Sequence, residues 1–328
     1  MKIGAVFPTT EIGNDTGLIR DYLQTLDGLG FSHILMLDHV LGIDPGDRPL
    51  IGPYTYEHPF HEPLTFLAWA AGQTKRIELI TGILILPQRQ TVLVAKQAAE
   101  IDILSGGRLR LGVGIGWNKP EYIGLGQDFH TRGRRLEAQI ELMRELWTEP
   151  LVTVADRWHT VETSGINPRP EKPIPVWLGG MSEPAMRRAA RLGDGWLPHF
   201  LPDEESGELR TARRGGRVTE QDRKRGKQVI GAAAYDAGEP ASGVLERLHT
   251  YRTEAGRDSI PFDVHGGMSI ANRPLEDALR WTAKWDELGV DYFAADTMYA
   301  GLAPREHMEV LRRFAGARGF PDNDHDNI

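Results

Sequence analysis

Short β-branched or apolar runs alternate with stretches of helical periodicity along nearly the whole chain, and this rhythm restricts the fold more than any other feature. KIGAVF at Lys2–Phe7 reads as a first strand and Leu18–Leu29 as the helix behind it. His33–Leu37 is a second strand, after which a Pro/Gly/Tyr-rich loop over 42–60 leads to a helix near Leu64–Gln73. Ile77–Leu86 is a continuous apolar run, so a third strand is buried on both faces, and Gly82 inside it marks a local bend. A helix over Val92–Leu104 and a Ser-Gly-Gly turn at 105–107 precede a fourth strand at Leu109–Ile115 and a long helix at Arg132–Trp147. Pro175–Leu178, Gly195–Pro198, Pro261–Ile270 and Asp291–Ala295 complete eight strands, with helices at Ser182–Leu192 and Arg305–Ala317. Eight strands alternating with helices predict an α/β fold of the (β/α)8 TIM-barrel type. A doubly wound sheet would place a glycine-rich phosphate loop after the first strand, where this chain has Pro-Thr-Thr.

Two segments interrupt the repeat of what reads as one barrel domain over 1–328. Residues 150–174 contain LVTVADRWHTVE and read as a hairpin excursion. A second insertion covers about 203–240; its 203–227 portion has 14 charged residues in 25 and reads as a solvated helical segment or lid. The acidic tail Asp322–Asp326 is expected to fray. No apolar run reaches the roughly 18–20 residues of a membrane span, and LTFLAWAA at 64–71 stops far short. The chain opens directly on a strand, which leaves no room for a signal peptide, so a soluble, cytoplasmic protein is expected. With no cysteine, disulfides, thiolate metal sites and cysteine nucleophiles are excluded. A pI of about 5.8 and the lack of a basic stripe argue against nucleic acid as a partner.

A barrel presents its chemistry at the C-terminal ends of its strands. That rule selects Asp38-His39 after strand 2, Thr81-Gly82-Ile83 in strand 3, and Gly114-Ile115-Gly116-Trp117 after strand 4. It also selects Gly179-Gly180-Met181-Ser182-Glu183 after strand 5. GVGIG at 112–116 lacks the third glycine and the downstream acidic residue of a dinucleotide fingerprint. It suits a planar ligand that must approach bare backbone, or simply a tight strand end. Two glycines running into a helix that opens at Ser182 suit a phosphate, or ordinary capping. His39 is a candidate general acid or cofactor donor, and Trp117 a stacking wall or a core residue. The cluster EHPFHE at 57–62 lacks the spacing of a metal site, so no metal is assigned. A metal-dependent hydrolase would have to draw on Asp38, His39, His265 and Asp296.

Four stretches together resemble the luciferase-like monooxygenase family of flavin- and deazaflavin-dependent oxidoreductases. They are MLDHV at 36–40, ITGILILPQRQ at 80–90, LSGGRLRLGVGIGWNKPEY at 104–122, and PVWLGG with RRAARLGDGWLP across 175–198, supported by FHTRGRRLEAQIELMRELW at 129–147. The similarity is greatest to the branch that uses coenzyme F420. The resemblance implies a homodimeric barrel holding F420 or FMN at the C-terminal mouth. It implies a non-proline cis peptide at Gly82–Ile83 behind the ring, with Asp38 and His39 near its reactive face. Thr81 and Gly114 would belong to the same ring site, Ile115, Gly116 and Trp117 would border the chromophore and tail, and Gly179, Gly180, Met181, Ser182 and Glu183 would hold the phosphate. Sugar-phosphate dehydrogenases of the family carry a glutamate where this chain has Trp117, so their activity does not transfer.

The expected function is therefore hydride transfer between F420 and a small organic substrate, with His39 and Asp38 as the catalytic candidates. The rival is a two-component monooxygenase using reduced FMN from a flavin reductase, and a third possibility is a non-catalytic flavin-binding protein. The helices at 64–73 and 92–104 are apolar on more than one face, which favours a homodimer.

Overall fold

The structure is a computed structural model that describes residues 1–44, 46, 54–198 and 240–320. Its strands are β1 (Lys2–Val6), β2 (His33–Met36), β3 (Glu78–Thr81), β4 (Leu84–Ile85), β5 (Leu109–Gly114), β6 (Val152–Ala155), β7 (Thr160–Ser164), β8 (Val176–Gly179), β9 (Gly195–Leu197), β10 (Asp263–Ser269) and β11 (Tyr292–Asp296). The helices are α1 (Thr16–Leu29), α2 (Pro63–Gln73), α3 (Thr91–Ser105), α4 (Lys119–Gly124), α5 (Arg132–Thr148), α6 (Glu183–Leu192), α7 (Ala241–Glu254), α8 (Leu275–Glu287) and α9 (Pro304–Ala317).

Parallel pairing runs β3–β2–β1–β11–β10–β9–β8–β5 and returns from β5 to β3 through Leu79↔Leu109. The sheet therefore closes into an eight-stranded barrel, as the strand rhythm predicted. The apolar run at 77–86 is divided: β3 pairs with β2, and β4 continues along β5 after a cis peptide bond at Gly82–Ile83. Residues 152–164 form the antiparallel hairpin β6–β7. His159 pins it to the barrel, with Nε2 2.7 Å from Thr91 Oγ1 and Nδ1 2.9 Å from Asp156 Oδ2. The insertion from 203 onward and the tail at 322–326 lie outside the described residues, apart from Pro240, which caps α7.

Helix ends follow local chemistry. Asp15 caps α1 by accepting from the amides of Gly17 and Leu18, and Gly30 ends it at φ 82°. Gly106, from the Ser-Gly-Gly turn, ends α3 at φ 70°. Between helices and sheet lies the larger apolar core, while Val6, Leu35, Ile80, Trp177, Leu197, Tyr292 and Met298 fill the lumen.

Opposite the mouth, the first residues of several strands form a charged floor. Arg110 donates to Glu78 at 2.8 Å and Lys2 reaches Glu78 at 3.0 Å, with Asp263 3.4 Å from Arg110. His33 and His265 face each other through their Nε2 atoms at 3.1 Å. Burial, then the Arg110 and Lys2 cations, push the His33 imidazole down to about 3. The placement of His265 at this end separates it from Asp38, His39 and Asp296, so the four residues weighed for a metal site do not converge. Among the described residues no three His, Asp or Glu side chains gather as a metal site, and no helix is long and apolar enough to cross a membrane.

Candidate active site at the barrel mouth

β2 delivers Asp38 and His39 to the mouth, and their alternating directions give them different partners. Asp38 is buried; one oxygen accepts from the Ile85 amide at 2.8 Å and the other from Arg89 at 2.8 Å. Burial raises its carboxyl, against which Arg89 and the Ile85 amide pull down. The geometry makes Asp38 a brace between β2 and the β4 segment. Arg89 extends the brace to Glu62, the N-cap of α2, at 2.8 Å.

His39 turns the other way into an aromatic collar. Phe60, Tyr54 and Trp117 meet its ring edge-on at centroid distances of 5.0, 5.1 and 5.3 Å. Tyr54 also approaches Tyr299, whose φ of 61° turns the chain after β11 back over the mouth. Behind the ring sits Glu121 of α4, fully buried, with Oε2 3.2 Å from His39 Nδ1. Its Oε1 accepts from the amides of Val40 at 2.5 Å and Leu41 at 3.0 Å, and Gln88 Nε2 stands 3.4 Å from Oε2. Burial alone would raise this carboxyl; the His39 ring and the two amides outweigh it and hold Glu121 below its ordinary value.

The glycines of the β5 and β8 ends receive Ile83. A Cβ on Gly114 would lie 2.7 Å from Ile83 Cδ1, and one on Gly179 2.9 Å from Ile83 Cγ2. Gly116 has φ 61°, and a Cβ there would meet Ile85 at 2.7 Å. Gly82 is likewise backed by Leu35. The backbone opened by Gly114 and Gly179 is thus filled by a side chain from the bulge between β3 and β4. Thr81 commits its hydroxyl to the Gly112 carbonyl at 2.7 Å. Ile115 and Met181 pack on the outer core, and the Ile115 carbonyl accepts from Tyr122 at 2.6 Å.

At the end of β8, Gly180 adopts φ 112° and its carbonyl accepts from Trp196 at 2.9 Å. Ser182 is the N-cap of α6 and makes no side-chain cap bond among the described residues; Ala185 and Met186 donate their amides to its carbonyl at 2.9 Å and Pro184 has no N–H, so the Ser182 hydroxyl and the Glu183 amide are what this end offers a ligand. Glu183, exposed, turns along the helix to Arg187 at 2.8 Å. Arg187 lowers the Glu183 carboxyl and neutralises a charge that would otherwise oppose an anion at this helix start. The Ser182 hydroxyl, the Glu183 amide and the helix dipole make this end fit a phosphate. A Cβ at Gly180 would come within 2.9 Å of Ala185, so the approach to the helix start also requires glycine. Two buried oxygens without partners among the described residues, Gln88 Oε1 and Asn118 Oδ1, border the Glu121 network and can accept from a bound group.

The structure brings Asp38, His39 and Trp117 together at one side of the mouth and Gly180, Ser182 and Glu183 at α6. Sequence reasoning missed Glu121, Tyr54, Phe60, Tyr299 and Arg89. Glu121 is the third residue of its helix, three after Asn118, a position that reads as capping chemistry. Arg89 stood inside the quoted stretch 80–90 with no signal to separate it from a surface arginine.

A family model described as luciferase-like monooxygenase matches residues 1–252. An uncharacterised protein of Mycobacterium tuberculosis (strain ATCC 25618 / H37Rv) is 31% identical over 207 residues, covering 63% of this chain and 59% of that one. The chain thus spans about 59% of the length of the first curated relatives it matches. An F420-dependent glucose-6-phosphate dehydrogenase of Amycolatopsis mediterranei is 32% identical over 184 residues, 54% of this chain and 51% of that protein. The solved structure of the monooxygenase RslO1 from Streptomyces bottropensis superposes with a TM-score of 0.68 at 19% identity, covering 96% and 98% of the two chains.

Proposed function

The chain belongs to the luciferase-like monooxygenase family, and from that premise we propose that it transfers a hydride between coenzyme F420 and a small organic substrate. One observation carries this reading: a single mouth combines a collared imidazole, His39, with a helix start at Ser182 whose capping capacity is unspent. The F420-dependent relative of Amycolatopsis mediterranei supports the choice of deazaflavin over flavin.

The residues that would hold the group are Gly180 and Ser182 with the first turn of α6 for the phosphate, and Trp117 with the Ile83 segment for the ring. Bound F420 supplies two-electron hydride chemistry. The chain's own contribution is position and one proton. Hydride gain or loss at a substrate carbon leaves a charge on its neighbouring heteroatom, and His39 Nε2 gives or takes the balancing proton there. Among the described residues the side-chain bonds of the ring run from Nδ1 to Glu121, which leaves Nε2 for the substrate. Tyr54, Phe60 and Trp117 keep water from the imidazole and present an apolar wall to the substrate. Trp117, in place of the glutamate of sugar-phosphate dehydrogenases, directs the pocket toward substrates less polar than a sugar phosphate.

Anaerobic loss of F420 absorbance with a panel of small alcohols tests the reading, as does its converse with reduced F420 and carbonyl compounds. Turnover that falls at least about 100-fold in His39→Ala, the scale of a positioned general acid, is expected. Oxygen-dependent product with reduced FMN and none with F420 would replace this reading with the two-component monooxygenase.

A further inference from the structure

We propose that Glu121 is the positioning residue of His39, fixing which ring nitrogen carries the proton; the inference rests on the reading of His39 as the proton-handling group. Glu121 has no exposed surface, and its two oxygens take unequal shares, with His39 Nδ1 3.2 Å from Oε2 and 3.4 Å from Oε1. Oε1 accepts from the Val40 and Leu41 amides at 2.5 and 3.0 Å, locking the loop that carries His39 onto α4. Oε2 faces His39 Nδ1 at 3.2 Å and Gln88 Nε2 at 3.4 Å. Every group around this carboxylate is a donor, and an ionised carboxylate has no proton to return. The neutral ring therefore keeps its hydrogen on Nδ1 and presents Nε2 as an acceptor. Phe60, Tyr54 and Trp117 at 5.0–5.3 Å hold the ring plane, so Glu121 determines the tautomer and the collar the direction.

The division of labour makes Glu121→Gln a sharp test. The glutamine carbonyl can stay on the Val40 and Leu41 amides, while its NH2 replaces Oε2 and becomes a donor toward Nδ1. Gln88 accommodates the change by turning, since its Oε1 lacks a partner. The loop stays anchored, and the NH2 at the nearer position favours a ring that accepts at Nδ1 and carries its hydrogen on Nε2.

The measurement is the imidazole 15N spectrum of the full chain at alkaline pH, with His39 assigned by its absence in His39→Gln. The wild type is expected to show the Nδ1–H form and Glu121→Gln the Nε2–H form, in a variant that still melts cooperatively. In turnover with F420, kcat of the variant is expected to fall roughly 100-fold with KM within about threefold, since the ring is mis-protonated rather than displaced. Glu121→Asp, still a carboxylate, is expected to keep the Nδ1–H form. A wild type already in the Nε2–H form, or a Glu121→Gln variant that keeps Nδ1–H, overturns the inference, and the wild-type spectrum alone decides if the variant does not fold. A tautomer switch in a protein that shows no F420 turnover supports the positioning role and removes the hydride-transfer reading instead.

Discussion

Arg89 donates to Asp38 at 2.8 Å across a junction where the carboxylate is wholly buried and the guanidinium keeps only 15% of its surface. Desolvation of both ions makes such a pair a weak source of net stability, yet removing one member strands the other. Arg89→Met is therefore expected to cost about 3–5 kcal/mol in urea unfolding. Asp38→Asn in the same background should recover much of it, because the orphaned charge disappears. Equal losses in the single and double variants would show that the pair does not govern the β2–β4 junction.

The floor of the barrel sets an acid limb on stability. His33 is held near 3 against an ordinary 6.5 by burial and by the Arg110 and Lys2 cations. Between those values the unfolded chain binds a proton that the folded chain refuses, so stability is complete above 6.5 and declines as pH falls toward 3. Glu78 and Glu121, held below the ordinary 4.5, add to the loss as pH drops through their lowered values. Thermal melting from pH 7.5 to 4 should fall monotonically, and His33→Gln should flatten the portion between pH 6.5 and 5. A melting temperature independent of pH over that range would contradict the assignment.

Ile83 is enclosed by two glycines on neighbouring strands, each close enough that a methyl group would collide with it. Gly114→Ala is expected to destabilise by about 1–3 kcal/mol through overpacking. An Ile83→Ala background should remove a large part of that loss, a coupling of about 0.5–3 kcal/mol between residues in contact. Additive losses would mean that Gly114 is required by something other than Ile83.

These particulars separate what sequence can carry from what it cannot. The strand rhythm, the bend at Gly82, the helix start at Ser182 and the hairpin at 150–174 are properties of contiguous residues, and periodicity and capping chemistry reveal them. Glu121 became visible only in three dimensions, because its partner His39 lies 82 positions earlier and its own surroundings resemble a helix cap. GVGIG suggested bare backbone for a flat ligand, whereas the side chain that occupies the space at Gly114 comes from the bulge between β3 and β4, 31 positions before it. Tyr54 and Phe60 sit in a loop whose composition carries no period, so nothing local announces that they close around an imidazole.

We propose that α3 faces a second copy of the chain. Leu93 and Leu104 are 51% and 61% exposed near opposite ends of a helix whose other faces pack against α2 and α5. Apolar side chains so placed are typical of a subunit contact. Light scattering after size exclusion should give a dimer, and Leu93→Glu with Leu104→Glu should give a monomer of unchanged helical content. A monomeric wild type would remove the proposal.

The central claim is that the mouth binds a deazaflavin, with its phosphate at the start of α6. Fluorescence titration of the purified chain with F420, alongside reduced FMN under anaerobic conditions, tests this most directly. Saturable quenching by F420 is expected, tighter than for reduced FMN and weakened at least about tenfold by Gly180→Val, which fills the approach to Ser182, a loss of about 1.4 kcal/mol. Saturable binding of reduced FMN with no binding of F420 would contradict the account.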